Sequence, residues 1–512
     1  MLRIRDYFVI SVTFLALTVF FLVFHDSYSL DQSVSDVVVS GSAAIFAEND
    51  EEKIALTEYM DEERPMVLIL TGSGSQNESS EQVTEVISAL KRPWYSLEKI
   101  SDATEEQLES SGIIIAAVDS LSDWEEAEET IAYVEEEGIH LIVTTCSGGE
   151  DGSEISEKLG ILESSGETEI EGMVVFEGIL MQGRKYYDDL PLEVEDLSLD
   201  AYCTVWIKDR IDQKENGDIP VMWERSLGSG DVFVMNHSLL SGGYGSGLLT
   251  GIISRYSETF VYPVVNAKVE LVDYFPDVSN GEETVLETLY SRTETAVVRD
   301  IFWPSLSKIM KNIGLTATFF THVSDEEKEN STYQYLEDLI TKAGYLLVET
   351  EIDNVTELLN FPVLCVWNSG GDESMLTADG WISTAGLLSH YIDMREVLGE
   401  NGEDIRYEWT QYSRELATFM DELYGEADWI DSVSLQEGVA RYQVYCELQP
   451  EITITEKGIT IENEGLSAEA YFVVRTSRKL QDIGTGCETE QIDGEYYLVR
   501  VTDEDAEILF EE

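Results

Sequence analysis

The chain has 512 residues, 43% hydrophobic and 10% aromatic, which excludes a disordered polymer and leaves room for several domains. Its 102 acidic residues against 31 basic ones give a net charge of −71, which excludes nucleic acid as a partner because the phosphates would be repelled. The acids are spread along the chain, so they fit either a solvated surface or the attraction of cations, basic proteins or a cationic polymer.

The first element is an apolar run from Tyr7 to Phe24, interrupted only by Ser and Thr. It nearly spans a bilayer. Arg3 and Arg5 precede it and Asp26 and Asp31 follow, so the positive-inside rule predicts a single-pass anchor over residues 1–30 with the bulk of the chain extracellular. Cleavage after the small residues around Tyr28 is the alternative. Residues 31–64 are acidic and unpatterned, and read as a spacer.

Residues 65–257 alternate apolar runs with helical stretches. Strands are predicted at Met66–Leu70, Gly112–Val118 and His140–Thr145, and helices at Ser80–Leu90 and Trp124–Glu137. Continuous apolar strands separated by helices imply a parallel sheet covered on both faces, a flavodoxin- or amidotransferase-like α/β domain. Pro220–Arg225 and Asp231–Asn236, joined through Gly-Ser-Gly, predict a hairpin. A Gly-rich helix start at 241–247 closes the region; no Lys-Ser/Thr follows, so it is no phosphate loop. Thr144-Thr-Cys146-Ser-Gly148 falls one Gly short of a nucleophile elbow, and His237 in the same region could be its base; a packed cysteine is the simpler reading.

Residues 258–445 form the next unit, with strands predicted at 264–272, 315–320 and 345–349 and a helix at Trp303–Ile313. Residues 446–512 alternate polar and apolar positions between Gly and Asn breaks, which predicts a small antiparallel β-module. The five cysteines (Cys146, Cys203, Cys365, Cys446, Cys487) contain no Cys-x-x-Cys pair, so a structural zinc site is not expected. Cys446 and Cys487 could pair; free buried thiols are the alternative.

Val272-Asp273-Tyr274-Phe275-Pro276-Asp277 ends a strand with acids, the place where β/α barrels build chemistry. This hexapeptide belongs with Asp231–Asn236, Gly247–Gly251, Tyr262–Asn266, Arg299–Pro304, Ser389–Leu398 and Tyr471–Thr476. Together they resemble the membrane-anchored deacetylase-like proteins of Gram-positive Pel-type exopolysaccharide clusters, relatives of the NodB-like carbohydrate esterases of family 4. The resemblance implies a distorted (β/α) deacetylase-like barrel and a role in exopolysaccharide synthesis or modification, as in biofilm formation. In active relatives a divalent metal held by one Asp and two His activates water, a neighbouring Asp is the base, and a distant His is the acid.

Here Asp273 matches the base and Tyr274 stands where the metal Asp would be. Residues 342–354 contain no histidine, and Glu349, Glu351 and Asp353 there are more simply surface acids. His390 matches the distant acid motif, with Asp393 where its second histidine would stand. No metal site and no cofactor is expected, with a divalent metal only if the site is active. The sequence therefore predicts a catalytically degenerate saccharide-binding or scaffold protein. Its pocket would use Tyr274, Asp277, Trp303, His322, Trp367, Trp381 and Asp393, and its partners would be the membrane and an exopolysaccharide or its synthase and export machinery. A metal-dependent N-deacetylase with rearranged ligands and a cell-surface structural protein are the alternatives.

Overall fold

A computed structural model describes residues 64–511, apart from 74–77, 150–151, 211–217, 237–238, 241–244, 277–285, 287–289, 323–330, 351–354, 359–364, 367–371, 396–408, 426 and 483. The predicted anchor and the spacer up to residue 63 lie outside the described residues. Among those described, no helix is long and apolar enough to cross a membrane.

The first architecture is a nine-stranded mixed sheet. Its strands are β1 (Met66–Leu70), β2 (Trp94–Leu97), β3 (Ser111–Ala116), β4 (His140–Val143), β6 (Met173–Val175), β7 (Lys185–Tyr187), β9 (Cys203–Asp209), β10 (Pro220–Leu227) and β11 (Gly230–Met235). The order is β2-β1-β3-β4-β11-β10-β9-β6-β7. The first five strands are parallel, in the order of a doubly wound sheet, and the remainder is antiparallel. β5 (Ile161–Ile170) and β8 (Leu192–Leu199) form a separate ribbon. β5 to β9 escape the sequence reading because β5 and β8 are rich in acids and serines rather than apolar runs.

The apolar runs are explained by burial on both faces. Val67 and Ile69 face one core with Val83 and Ile87 of helix α1 (Glu78–Ala89). Leu68 and Leu70 face another with Ile131 and Val134 of helix α2 (Ala127–Glu137). The predicted helix at 124–137 starts later than expected, and Trp124 is instead buried ahead of it. Helix α3 (Ser246–Arg255) lies with α1 on the first face. It approaches its neighbours through glycine. A Cβ on Gly251 would stand 1.9 Å from the Ile179 carbonyl oxygen, and one on Gly247 2.6 Å from Gly380 Cα. Gly251→Ala is therefore expected to destabilise the chain by about 3 kcal/mol, since backbone must move to admit the methyl; an unchanged urea midpoint would contradict this packing.

The second sheet holds β13 (Ala267–Asp273), β14 (Ala317–Thr321), β15 (Leu346–Glu349), β16 (Cys365–Val366) and β17 (Leu387–Asp393), all parallel, in the order β15-β14-β13-β17-β16. Among the described residues β15 and β16 do not pair with each other, so these five strands show no closure into the expected barrel. Helices α4 (Trp303–Ile313), α5 (Ser331–Lys342) and α7 (Trp409–Gly425) cover one face, over Val272, Phe319, Leu388 and Ile392. Helix α8 (Leu435–Glu447) covers the other, where Leu435 N donates to Thr318 Oγ1 at 3.3 Å. Helix α6 (Asp372–Ala385) leads into β17.

The strand predicted over 264–272 is two strands. Asn266 has φ 52, and its side chain bonds Asp431 through both amide atoms. Asn tolerates this left-handed conformation and so turns the chain. What precedes it, β12 (Thr259–Val264), pairs with β20 (Ala470–Thr476) in a four-stranded antiparallel sheet with β22 (Tyr496–Val501) and β21 (Cys487–Asp493). β18 (Glu451–Ile454), β19 (Gly458–Glu462) and β23 (Asp505–Leu509) make a three-stranded sheet, and both share one core. The predicted C-terminal β-module thus includes a strand from far upstream. Cys446 and Cys487 are free thiols and do not form the bridge considered from sequence.

Candidate functional site

The C-terminal ends of β13, β14 and β17 bring Asp273, His322 and Asp393 together. Parallel pairing sets Asp273 opposite Asp393 and Val272 opposite Phe319. Asp273 is fully buried. Its Oδ1 accepts from Tyr274 N at 2.8 Å and lies 2.7 Å from His322 Nε2. Its Oδ2 accepts from Tyr391 Oη at 2.9 Å. A carboxylate can only accept, so His322 carries its proton on Nε2 and keeps Nδ1 as an acceptor in the neutral form. Burial and the negative charges of Asp273 and Asp393 push the Tyr391 hydroxyl well above its ordinary pKa, so it stays a donor.

Tyr274 adopts φ 51 and is buried. The His322 ring stacks on it at 3.8 Å between centroids and 9° between planes. The Arg395 guanidinium carbon lies 3.4 Å from its centroid. Two groups that close cannot share one face, so Tyr274 is sandwiched. Arg395 also donates Nε and Nη2 to the Asp393 carboxylate, at 3.0 and 2.6 Å, and this bond raises its pKa further. Such a forked pair is among the stronger charge-assisted contacts.

The arrangement does not fit a divalent metal. Asp273 has its oxygens engaged by three donors, Asp393 is held by Arg395, and a guanidinium lies over the ring of Tyr274, at the position of the relatives' ligand. Among the described residues no group of three or more His, Cys, Asp or Glu is disposed as a metal site. Glu349 is exposed at the end of β15, and Glu351 and Asp353 lie outside the described residues.

Three expected site residues are placed elsewhere. His390 pairs with Glu270, three residues before Asp273, and strand alternation sends it to the opposite face. There it is fully buried, 3.0 Å from Glu270 Oε2, which also accepts from Tyr424 Oη at 2.7 Å. His390 is therefore a core histidine and not the partner of Asp273. Trp303 is 7% exposed and packs among Phe275, Phe319 and Tyr345, so it offers no face to a sugar. Trp381 is half-buried near the end of α6, which leads into the start of β17 at the opposite edge of the sheet. Tyr274 remains in the cluster, but with both faces covered it cannot stack on a sugar ring. Asp277 and Trp367 lie outside the described residues.

Tyr391, Arg395 and Glu270 were missed. Tyr391 was legible, since it lies two residues before Asp393 on a strand and so shares its face. In the first sheet Cys146 is buried and its Sγ is 3.5 Å from Asn236 Oδ1, which supports the packed-cysteine reading; His237 lies outside the described residues.

The chain is similar in fold to the carbohydrate deacetylase Agd3, with TM-score 0.50, 10% identity, and coverage of 87% of this chain and 98% of that one. It also matches a thuA-like protein from Bacteroides uniformis (TM-score 0.29, 15% identity, 40% and 96% coverage) and a β-galactosidase from Rahnella (TM-score 0.27, 10% identity, 39% and 34% coverage), at scores too low to carry an argument. No curated protein matched. The family described as uncharacterised protein conserved in bacteria (DUF2194) matches residues 95–360 and 368–498, more than half of the chain, and the protein belongs to that family.

Proposed function

We propose that this chain is a carbohydrate-directed relative of the deacetylases that binds saccharide at the C-terminal edge of the β13–β14–β17 sheet and carries out no metal-dependent deacetylation. The observation that carries this reading is the engagement of both Asp273 oxygens by Tyr274 N, His322 and Tyr391. A base already holding three internal donors, with a guanidinium stacked over the neighbouring Tyr274 ring, is a structural anion. His322, partly accessible, and the Asp393–Arg395 pair are the polar groups offered to a ligand. The fold shared with a carbohydrate deacetylase supports the substrate class, and the apolar run at Tyr7–Phe24 supports a membrane tether with the bulk outside the cell, in service of exopolysaccharide synthesis.

The test uses the purified full-length chain in detergent with N-acetylhexosamine oligomers. Binding is expected to survive a chelator, with no acetate released. Stoichiometric metal, with acetate release lost in Asp273→Ala, would overturn the reading. The oriented His322–Asp273 pair favours one alternative, a metal-free hydrolase with His322 as base; chelator-insensitive acetate release lost in His322→Ala would establish it instead. The net charge of −71 further supports a partly deacetylated, cationic polymer as ligand. Its binding should weaken with salt as the charges are screened; affinity indifferent to ionic strength would count against that.

A further inference from the structure

The saccharide site described above offers no ring to a sugar: Trp303 is packed in the core and Tyr274 has both faces covered. A pyranose with equatorial hydroxyls presents its C–H bonds as an apolar face, which an aromatic ring can cover while the hydroxyls stay wet. Among the described residues one ring of this sheet's helices is available. Tyr335 of α5 is 50% exposed, whereas Tyr333 and Leu336 of the same helix point into the core. The other large apolar side chains left exposed, Leu162, Tyr186 and Tyr202, lie in the first architecture. Helix α5 follows β14, and a helix crossing between parallel strands runs back from their C-terminal edge. Tyr335, near the start of α5, therefore lies toward the edge that holds Asp273 and His322.

A single exposed tyrosine is ordinary and needs no ligand. Its neighbourhood is less ordinary. Val298–Phe302 forms a π-helical turn leading into α4, with Trp303 N donating to the Val298 carbonyl. Such turns are rare and gather at functional sites. Pro304, which lacks an N–H, accounts for where the ladder widens but not for what its outer side presents. There Arg299 donates Nε and Nη2 to the Asp300 carboxylate at 2.7 and 2.9 Å, and Arg292 adds Nη1 at 2.9 Å. Asp300 and, more weakly, the nearby Tyr335 hydroxyl raise the Arg299 pKa, which puts ring and guanidinium on one surface. Both arginines are well exposed. Each carries five N–H donors, so the carboxylate leaves donors over for sugar oxygens beside the ring.

We propose that Tyr335 is the platform on which this site stacks a gluco-configured, N-acetylated pyranose, beside the Arg292–Asp300–Arg299 fork; the assignment rests on the saccharide-binding reading above. Calorimetric titration of the purified full-length chain in detergent with an N-acetylglucosamine oligomer tests it. Tyr335→Ala is expected to weaken binding about tenfold, and Tyr335→Trp to retain it, because stacking needs a ring rather than a hydroxyl. The urea midpoint should stay unmoved in both variants, since the ring is exposed. An oligomer that binds the unaltered chain but is indifferent to Tyr335→Ala would overturn the platform and leave the saccharide-binding reading standing. Equal loss in Tyr335→Trp, or a lowered midpoint in Tyr335→Ala, would overturn it in the same way by showing that the ring serves the fold. No binding by the unaltered chain would overturn both.

Discussion

Asp273→Ala will lower the unfolding free energy by about 3–5 kcal/mol, measured by urea denaturation, because it strands the donors converging on a buried carboxylate. The Tyr391 hydroxyl, the Tyr274 amide and the His322 ring are all oriented by that side chain. The tilted backbone of Tyr274, at φ 51, is held by the same contacts, so the end of β13 loosens with them. A working base behaves otherwise: it is typically held at some expense of stability, and its removal abolishes activity while leaving the fold as stable or more so. A loss under about 1 kcal/mol would show that Asp273 is poised for chemistry rather than built into the frame.

The second large effect belongs to the opposite face of the same strand. Glu270→Leu is expected to cost about 3–5 kcal/mol, because His390 and Tyr424 then lose a buried charged acceptor. Among the described residues His390 Nε2 is already buried without a partner, so the imidazole has no second bond to compensate. The double variant Glu270→Leu with His390→Phe should recover most of that loss, since replacing both partners of a buried polar pair by apolar groups is often neutral. Strict additivity in the double-mutant cycle would mean the two side chains act independently, contrary to the 3.0 Å contact.

These two predictions also show what could be read from the sequence. Met66–Leu70, His140–Val143 and the hairpin at 220–235 were legible because burial on both faces, or alternation around a Gly turn, leaves a direct trace in residue type. Asp273 was legible as a strand-end acid. The grouping of His390 with it was not sound, because a motif conveys order along the chain but not which face a residue takes. That depends on register, and Glu270 opposite His390 is a fact of pairing. The division of 264–272 at Asn266 was hidden for a related reason: apolar residues recur on both sides of it, and only a left-handed residue separates them. The acid-rich ribbon of β5 and β8 had no apolar pattern to read.

The pairing of β12 with β20 has a consequence for how the molecule is made. Thr259 meets Thr476 across 217 positions of chain, their hydroxyls 2.9 Å apart. At about 5–20 residues per second, a ribosome needs roughly 10–40 seconds to supply the second strand after the first. Throughout that interval Phe260, Tyr262 and Val264, all bound for the interior, wait without their partner. The downstream strand is thus a clasp that closes over one laid down long before. A message cut short before residue 470 would yield a chain with that strand open to any neighbour.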